Sequence, residues 1–185
     1  MASGGERIVH KMAVRNIVLT CNLQCHANLE RAYERSAQQD DLLCWWNRAF
    51  GSLNLKKGSE SSLCQVFKTG RIIVIGGRSM EEADALFQMY LNVLRHLAIR
   101  TENSGYRVQN VVATYSLGKI VSLNRLKRVF YEPELFPAAT FVCINPKATV
   151  NIFATGSCTI LGFKDVNSLP SIIDQINGII AESRL

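Results

Sequence analysis

Val66-Phe67-Lys68-Thr69-Gly70 is written a second time, in closely matching residue classes, as Ile152-Phe153-Ala154-Thr155-Gly156. Seventeen residues before each central Phe stands another, Phe50 before Phe67 and Phe136 before Phe153. A chain that repeats an aromatic pair at one spacing reads as one unit duplicated, and duplicated units use such residues symmetrically. The run Val14-Arg15-Asn16-Ile17-Val18-Leu19-Thr20 returns as Val108-Gln109-Asn110-Val111-Val112-Ala113-Thr114 at an offset of 94 residues, whereas the Phe pairs are offset by 86. The eight-residue difference falls where the first half carries Gln38-Gln39-Asp40-Asp41 and Trp45-Trp46, and it reads as an insertion in one connection.

Each half has the same order of signals. A β-branched run (Ile17 to Thr20; Val111 to Thr114) predicts a strand, and a short helical stretch follows at Asn28 to Ala37 and at Leu123 to Phe130. Strands are then expected at Gly51 to Lys56, Ser62 to Phe67 and Arg71 to Ile75, with counterparts at Ala138 to Ile144, Thr149 to Phe153 and Cys158 to Leu161. Gly70 and Gly156 stand at the hairpin turns, where positive φ is required. A longer helix closes each half. Ser79 and Glu82 make a capping box, behind which Ala83, Leu86, Phe87, Tyr90, Leu94 and Leu97 recur on one face. Ile172, Ile173, Ile176, Ile179 and Ile180 do the same after Pro170. The fold class is therefore α+β, an antiparallel meander with helices on one face, used twice. The expected division is a flexible lead-in over 1–12, a first repeat over 13–100 and a second over 101–185 in one bipartite domain.

Composition narrows the function. The 185 residues are 48% apolar, ordinary for a folded chain, and the longest apolar runs are far too short to span a bilayer. A net charge of +6, from 21 basic and 15 acidic residues, permits a polyanionic partner without demanding one. The six cysteines read as reduced thiols, and Cys21, Cys25 and His26 lack the further ligands that a metal site needs. No paired carboxylates, Ser/His/Asp set or phosphate-cradling Gly loop points to catalysis, so no catalytic residue, metal or cofactor is expected.

The sheet face away from the helices is the informative one, because it should be polar and is not. Alternation sends Ile17 and Leu19 to the helices and leaves Asn16, Val18 and Thr20 outside. It likewise puts Arg71, Ile73 and Ile75, and Gln65 with Phe67, on the outer face. The second half repeats the pattern with Asn110, Val112 and Phe153. Such a face suits another protein surface. It also suits the DNA minor groove, which is lined by sugars and acceptors and is entered by apolar wedges with a few Asn or Thr.

With Tyr131-Glu132-Pro133-Glu134-Leu135-Phe136-Pro137, the two Phe-x-Thr-Gly hairpins and the two Asn-[Ile/Val]-Val strands, the chain resembles the TATA-box-binding protein family with its TBP-like and TBP-related branches, over about Val14 to Ser183. The resemblance implies a pseudo-twofold saddle: one curved antiparallel sheet of about ten strands, four helices on the convex face, and a concave face on DNA. It implies that Phe50 with Phe67, and Phe136 with Phe153, are wedges. Asn16 and Asn110 would bond bases near the dyad beside Val18 and Val112. Thr69, Ile73 and Thr155 join the DNA-contacting set, with Lys56, Arg71, Arg78 and Lys164 on phosphates. Glu132, Glu134 and Leu135 would meet transcription factor IIB. The implied partners are AT-rich double-stranded DNA and general transcription factors such as transcription factors IIB and IIA, with no membrane, in the nucleus. Self-association of the apolar face is a further expectation when DNA is absent.

Departures from the family pattern matter as well. Ile75 and Leu161 replace base-contacting Thr, Gln65 and Asn151 replace Leu, and Val142 and Ser157 replace basic phosphate contacts. Asp84, Met89 and His96 make the long first-half helix less basic than is usual. Two readings follow: a minor-groove-kinking initiation factor with altered or relaxed TATA specificity, or an interaction platform without autonomous DNA binding. Trp45 and Trp46 fit no family motif; burial at the insertion and a partner surface both remain open for them.

Overall fold

The computed structural model describes residues 12–59, 61–102 and 105–183. Among them are nine strands and three α-helices, arranged as two compact units that divide at Asn110/Val111. Of the expected lead-in over 1–12, Met12 is the first residue of a strand, and the rest lies outside the described residues.

The first unit, Asn16–Asn110, contains most of β1 (Met12–Asn22), α1 (Leu29–Ser36), β2 (Leu42–Asn47), β3 (Ser52–Lys57), β4 (Leu63–Phe67), β5 (Arg71–Gly76) and α2 (Met80–His96). Its strands are antiparallel in the order β2-β3-β4-β5-β1. Strand alternation puts Ile17, Leu19, Leu53, Leu55, Cys64, Val66, Ile72 and Val74 into the core, all buried. On the other side of that core, α2 contributes Ala83, Leu86, Phe87, Tyr90 and Leu94, again buried. Burying one side chain of the size of Phe87 contributes about 1.5–3 kcal/mol. The phenol of Tyr90 meets the Ser62 hydroxyl at 3.0 Å inside this core, which keeps its polar end paired.

Both helices start where the sequence says. Asn28 Oδ1 accepts from the Arg31 N–H at 2.9 Å, and Ser79 Oγ accepts from the Glu82 N–H at 3.1 Å. Glu82 reaches back to the Arg78 N–H at 2.8 Å, one residue earlier than the usual capping box.

The second unit takes in Val111 onward, together with the strand residues up to Arg15. It holds most of β6 (Arg107–Ser116), β7 (Ala138–Cys143), β8 (Ala148–Phe153), β9 (Ser157–Phe163) and α3 (Leu169–Glu182). The strand order is β6-β9-β8-β7, with Val111, Ala113, Val150, Ile152 and Ile160 turned to the buried side along with Ile172, Ile176 and Ile180 of α3.

Two expectations are corrected here. Leu123 to Phe130 is not an α-helix: only Leu123–Arg125 turns, as 3-10 helix without a side-chain cap, and Arg128 takes a positive φ of 60° that ends any helical path. This accounts for three α-helices where four were expected. The nine strands among the described residues agree with the expected count of about ten. The position of β2 is filled in the second unit by a single bridge, Phe130↔Thr140. In the first unit the supposed inserted connection is itself a strand: Trp45 and Trp46 sit in β2.

The two hairpin glycines serve one geometry. Gly70 has φ +78° and Gly156 φ +83°, and a Cβ would lie 2.1 Å from the Cys25 carbonyl oxygen in one case and 2.0 Å from that of Lys119 in the other. Each hairpin is thereby tucked under the segment that follows the unit's first strand, which bonds to it through Leu23 N–H to Gly70 O and Leu117 N–H to Gly156 O.

Candidate nucleic-acid interface

The helix-free face of each unit is organised in transverse rows, which the strand registers define. In the first unit Thr20, Ile73, Gln65, Asn54 and Trp45 stand opposite one another across β1, β5, β4, β3 and β2. In the second, Thr114, Thr159, Asn151, Thr140 and Phe130 make the corresponding row across β6, β9, β8, β7 and the bridge. Both rows begin at a Thr and end at an exposed aromatic, Trp45 at 41% and Phe130 at 62%. These two aromatics were not singled out as site residues. Phe130 lacks any local motif, and only the register reveals that it answers Trp45.

A neighbouring row is apolar. Val18 faces Ile75, and Val112 faces Leu161, so the two departures from Thr sit beside the two valines as half-buried aliphatic pairs. Asn16 is half-buried near the start of the first row's strand, and Asn110 is half-buried at the corresponding place in β6.

The wedge candidates hold one relation in both units. Phe50 lies two residues before Ser52, the register partner of Phe67; Phe136 lies two residues before Ala138, the register partner of Phe153. The loop-borne members are exposed, Phe50 at 68% and Phe136 at 43%, and the strand-borne members are half-buried. Exposed aromatic rings are unfavourable in water and ready to enter an apolar partner.

The polar residues of the face pair differently in the two units. Gln65 Nε2 donates to Ser52 Oγ at 2.8 Å, whereas Thr140 Oγ1 donates to Asn151 Oδ1 at 3.0 Å. Thr69, Thr155, Arg71, Arg78 and Lys164 are exposed, and Lys56 is half-buried on β3. Arg71 shares a cleft of about 560 Å³ with Arg107, Thr20 and Asn22, which adds an unforeseen second guanidinium beside it. Glu132, Glu134 and Leu135 project from an exposed turn in which the Leu135 and Phe136 N–H groups both donate to the Glu132 carbonyl at 3.0 Å.

Trp45 and Trp46 point to opposite faces. Trp46 reaches the helix side, where its ring lies 6.1 Å from that of Tyr33 on α1. The cysteines belong to the fold: Cys21, Cys64, Cys143 and Cys158 are buried, and Cys25 Sγ donates to the Arg100 carbonyl at 3.5 Å. Burial pushes the Cys158 thiol up to about 12 and raises that of Cys64 as well.

Comparison with known proteins agrees with this architecture. The family model described as transcription factor TFIID (or TATA-binding protein, TBP) matches residues 11–97 and 105–183. The chain is 26% identical to a TATA-box-binding protein-like 1 of Entamoeba histolytica, over 94% of this chain and 81% of that one. It is also 26% identical to the TBP-related factor of Drosophila melanogaster, over 95% and 79% respectively. Among solved structures, Methanococcus jannaschii TBP superposes with a TM-score of 0.78 at 25% identity, covering 93% of this chain and 99% of that one. With a repeated antiparallel α+β fold and both halves matched, the chain belongs to the TFIID/TATA-binding protein family, as a divergent member.

Proposed function

We propose that this transcription initiation factor binds the minor groove of AT-rich promoter DNA with its helix-free faces and kinks it, with altered or relaxed TATA specificity. The observation that carries the proposal is the shared register of the Phe pairs: two exposed rings, each two residues from the partner of a half-buried one. Apolar side chains in that setting pry base steps apart, and the half-buried aliphatics beside them suit a groove walled by sugars.

In this reading 13–100 and 101–185 are the two repeats, and Asn16 and Asn110 supply hydrogen bonds to base acceptors. Val18, Val112, Ile73, Thr69 and Thr155 line the groove, and Lys56, Arg71, Arg78 and Lys164 grip phosphates. Ile75 and Leu161 remove two hydroxyls from the rows of Val18 and Val112, which is the physical basis for a changed preference. Glu132, Glu134 and Leu135 are the surface offered to transcription factor IIB, transcription factor IIA is a further partner, and the factor works in the nucleus.

A second reading, an interaction platform without autonomous DNA binding, draws on Val142. It is 58% exposed where the family pattern has a basic phosphate contact. Fluorescence anisotropy of a labelled AT-rich duplex at low salt separates the two. Saturable binding is expected, and no binding at any protein concentration would leave only the platform.

A further inference from the structure

On the first unit's helix-free face, Asn54 carries a buried acceptor, Oδ1, with no hydrogen-bond partner among the described residues, and the residue is 7% exposed. Buried polar atoms are nearly always paired, so an orphan of this kind needs a reason. Its register neighbours flank it, Trp45 on β2 and Gln65 on β4. Gln65 directs its amide N–H to Ser52 instead.

The second unit shows what a closed version looks like. The residue in the corresponding place, Thr140, is bonded to Asn151, and the aromatic beside it is Phe130. The open acceptor therefore belongs to the first unit's row.

The minor-groove edges of base pairs offer acceptors at every pair and one donor, the exocyclic N2 amine of guanine. An unfilled carbonyl oxygen on a groove-facing surface has that single complement. The oxygen has no surface open to solvent, so a donor reaches it only after a flanking side chain moves. Trp45, the register partner of Asn54 on the edge strand β2, is 41% exposed and is the more open of the two flanking residues.

We propose that Asn54 and Trp45 form a guanine-reading subsite: Trp45, the register neighbour of Asn54, moves onto the sugar edge of the entering groove, and the guanine N2 amine donates to Asn54 Oδ1. The inference rests on the helix-free face being a minor-groove surface. It makes a G·C pair acceptable, at the position that the first unit's row covers, within an otherwise AT-rich site.

The test uses the full chain and an AT-rich duplex in which G·C is placed singly at each position in turn, each guanine then being exchanged for inosine, which lacks only the N2 amine. At one position the guanine duplex is expected to bind about three- to tenfold more tightly than the inosine duplex. Asn54→Thr, which installs the second unit's residue, and Asn54→Leu are both expected to erase that difference, with far-ultraviolet circular dichroism and thermal melts showing that they fold. In a Trp46→Phe background the remaining Trp45 emission is expected to change on adding the guanine duplex. Equal binding of guanine and inosine duplexes at every position overturns the subsite, as does a preference that survives in both folded Asn54 variants. An unchanged Trp45 emission overturns the movement assigned to Trp45. Failure to bind a duplex of any composition overturns the minor-groove reading itself, and the subsite with it.

Discussion

Phe136 and Phe153 meet edge to face, their ring centroids 6.1 Å apart and their planes at 65°. The contact braces an exposed loop ring against a strand ring, so that the loop ring is held in place while part of it stays exposed. An aromatic pair of this geometry contributes about 0.5–1.5 kcal/mol. Phe136→Ala is therefore expected to cost less than about 3 kcal/mol in a urea titration, since it removes this contact and the partial burial of a ring that stays 43% exposed. A loss of about 3 kcal/mol or more would make Phe136 a core residue and not a wedge.

Gly70→Ala and Gly156→Ala each drive a Cβ to about 2 Å from a carbonyl oxygen at positive φ. Each is expected to destabilise its unit by at least about 2 kcal/mol. Gly51→Ala, at φ +59° in open space, is expected to cost only about 1 kcal/mol and serves as the comparison. Chemical denaturation of the three variants decides whether close approach or backbone conformation dominates at these turns.

Salt dependence reads the phosphate grip. If Lys56, Arg71, Arg78 and Lys164 each neutralise a phosphate, replacing any one by Gln reduces the slope of log binding constant against log salt by about 0.9. Anisotropy titrations at several salt concentrations give that slope. An unchanged slope for a given variant removes that residue from the set.

Burial raises the thiol pKa of Cys158 from 9.0 to about 12 and raises that of Cys64 too. The sign follows from proton binding: the folded state keeps these protons where the unfolded chain has begun to lose them. Stability is thus fully present below about pH 9 and falls as pH rises toward the folded values. Each fully shifted thiol removes about 1.4 kcal/mol per pH unit in that window. Urea titrations at pH 8 and pH 10 are expected to show the loss, and Cys158→Ala should remove the part that Cys158 contributes.

Much of this molecule was legible in its sequence because duplication doubles every signal. The strand alternation that buries Ile17 and Leu19 and turns Val18 outward is a local period, and it appears as read. The same holds for the Ser79 cap and for the α2 face from Ala83 to Leu94. What local pattern missed depends on long-range pairing. Leu42–Asn47 is an edge strand whose residues all keep some exposure, so its sequence has no apolar-polar alternation to betray it. Leu123 to Phe130 has helix-forming composition, but Arg128 adopts a positive φ and Phe130 lies in a bridge with Thr140. The Phe pairs were visible at once, whereas the aromatic ends of the transverse rows, Trp45 and Phe130, emerge only from the register.

The measurement closest to the central claim is energy transfer between fluorophores on the two ends of an AT-rich duplex as the chain is added. Binding by wild type is expected to bring the ends closer. The double variant Phe136→Ala, Phe153→Ala is expected to lose that approach while remaining folded. A wild-type complex that forms at low salt with no change in end-to-end transfer, or a double variant that bends the duplex as fully as wild type, would contradict the assignment of these rings as wedges.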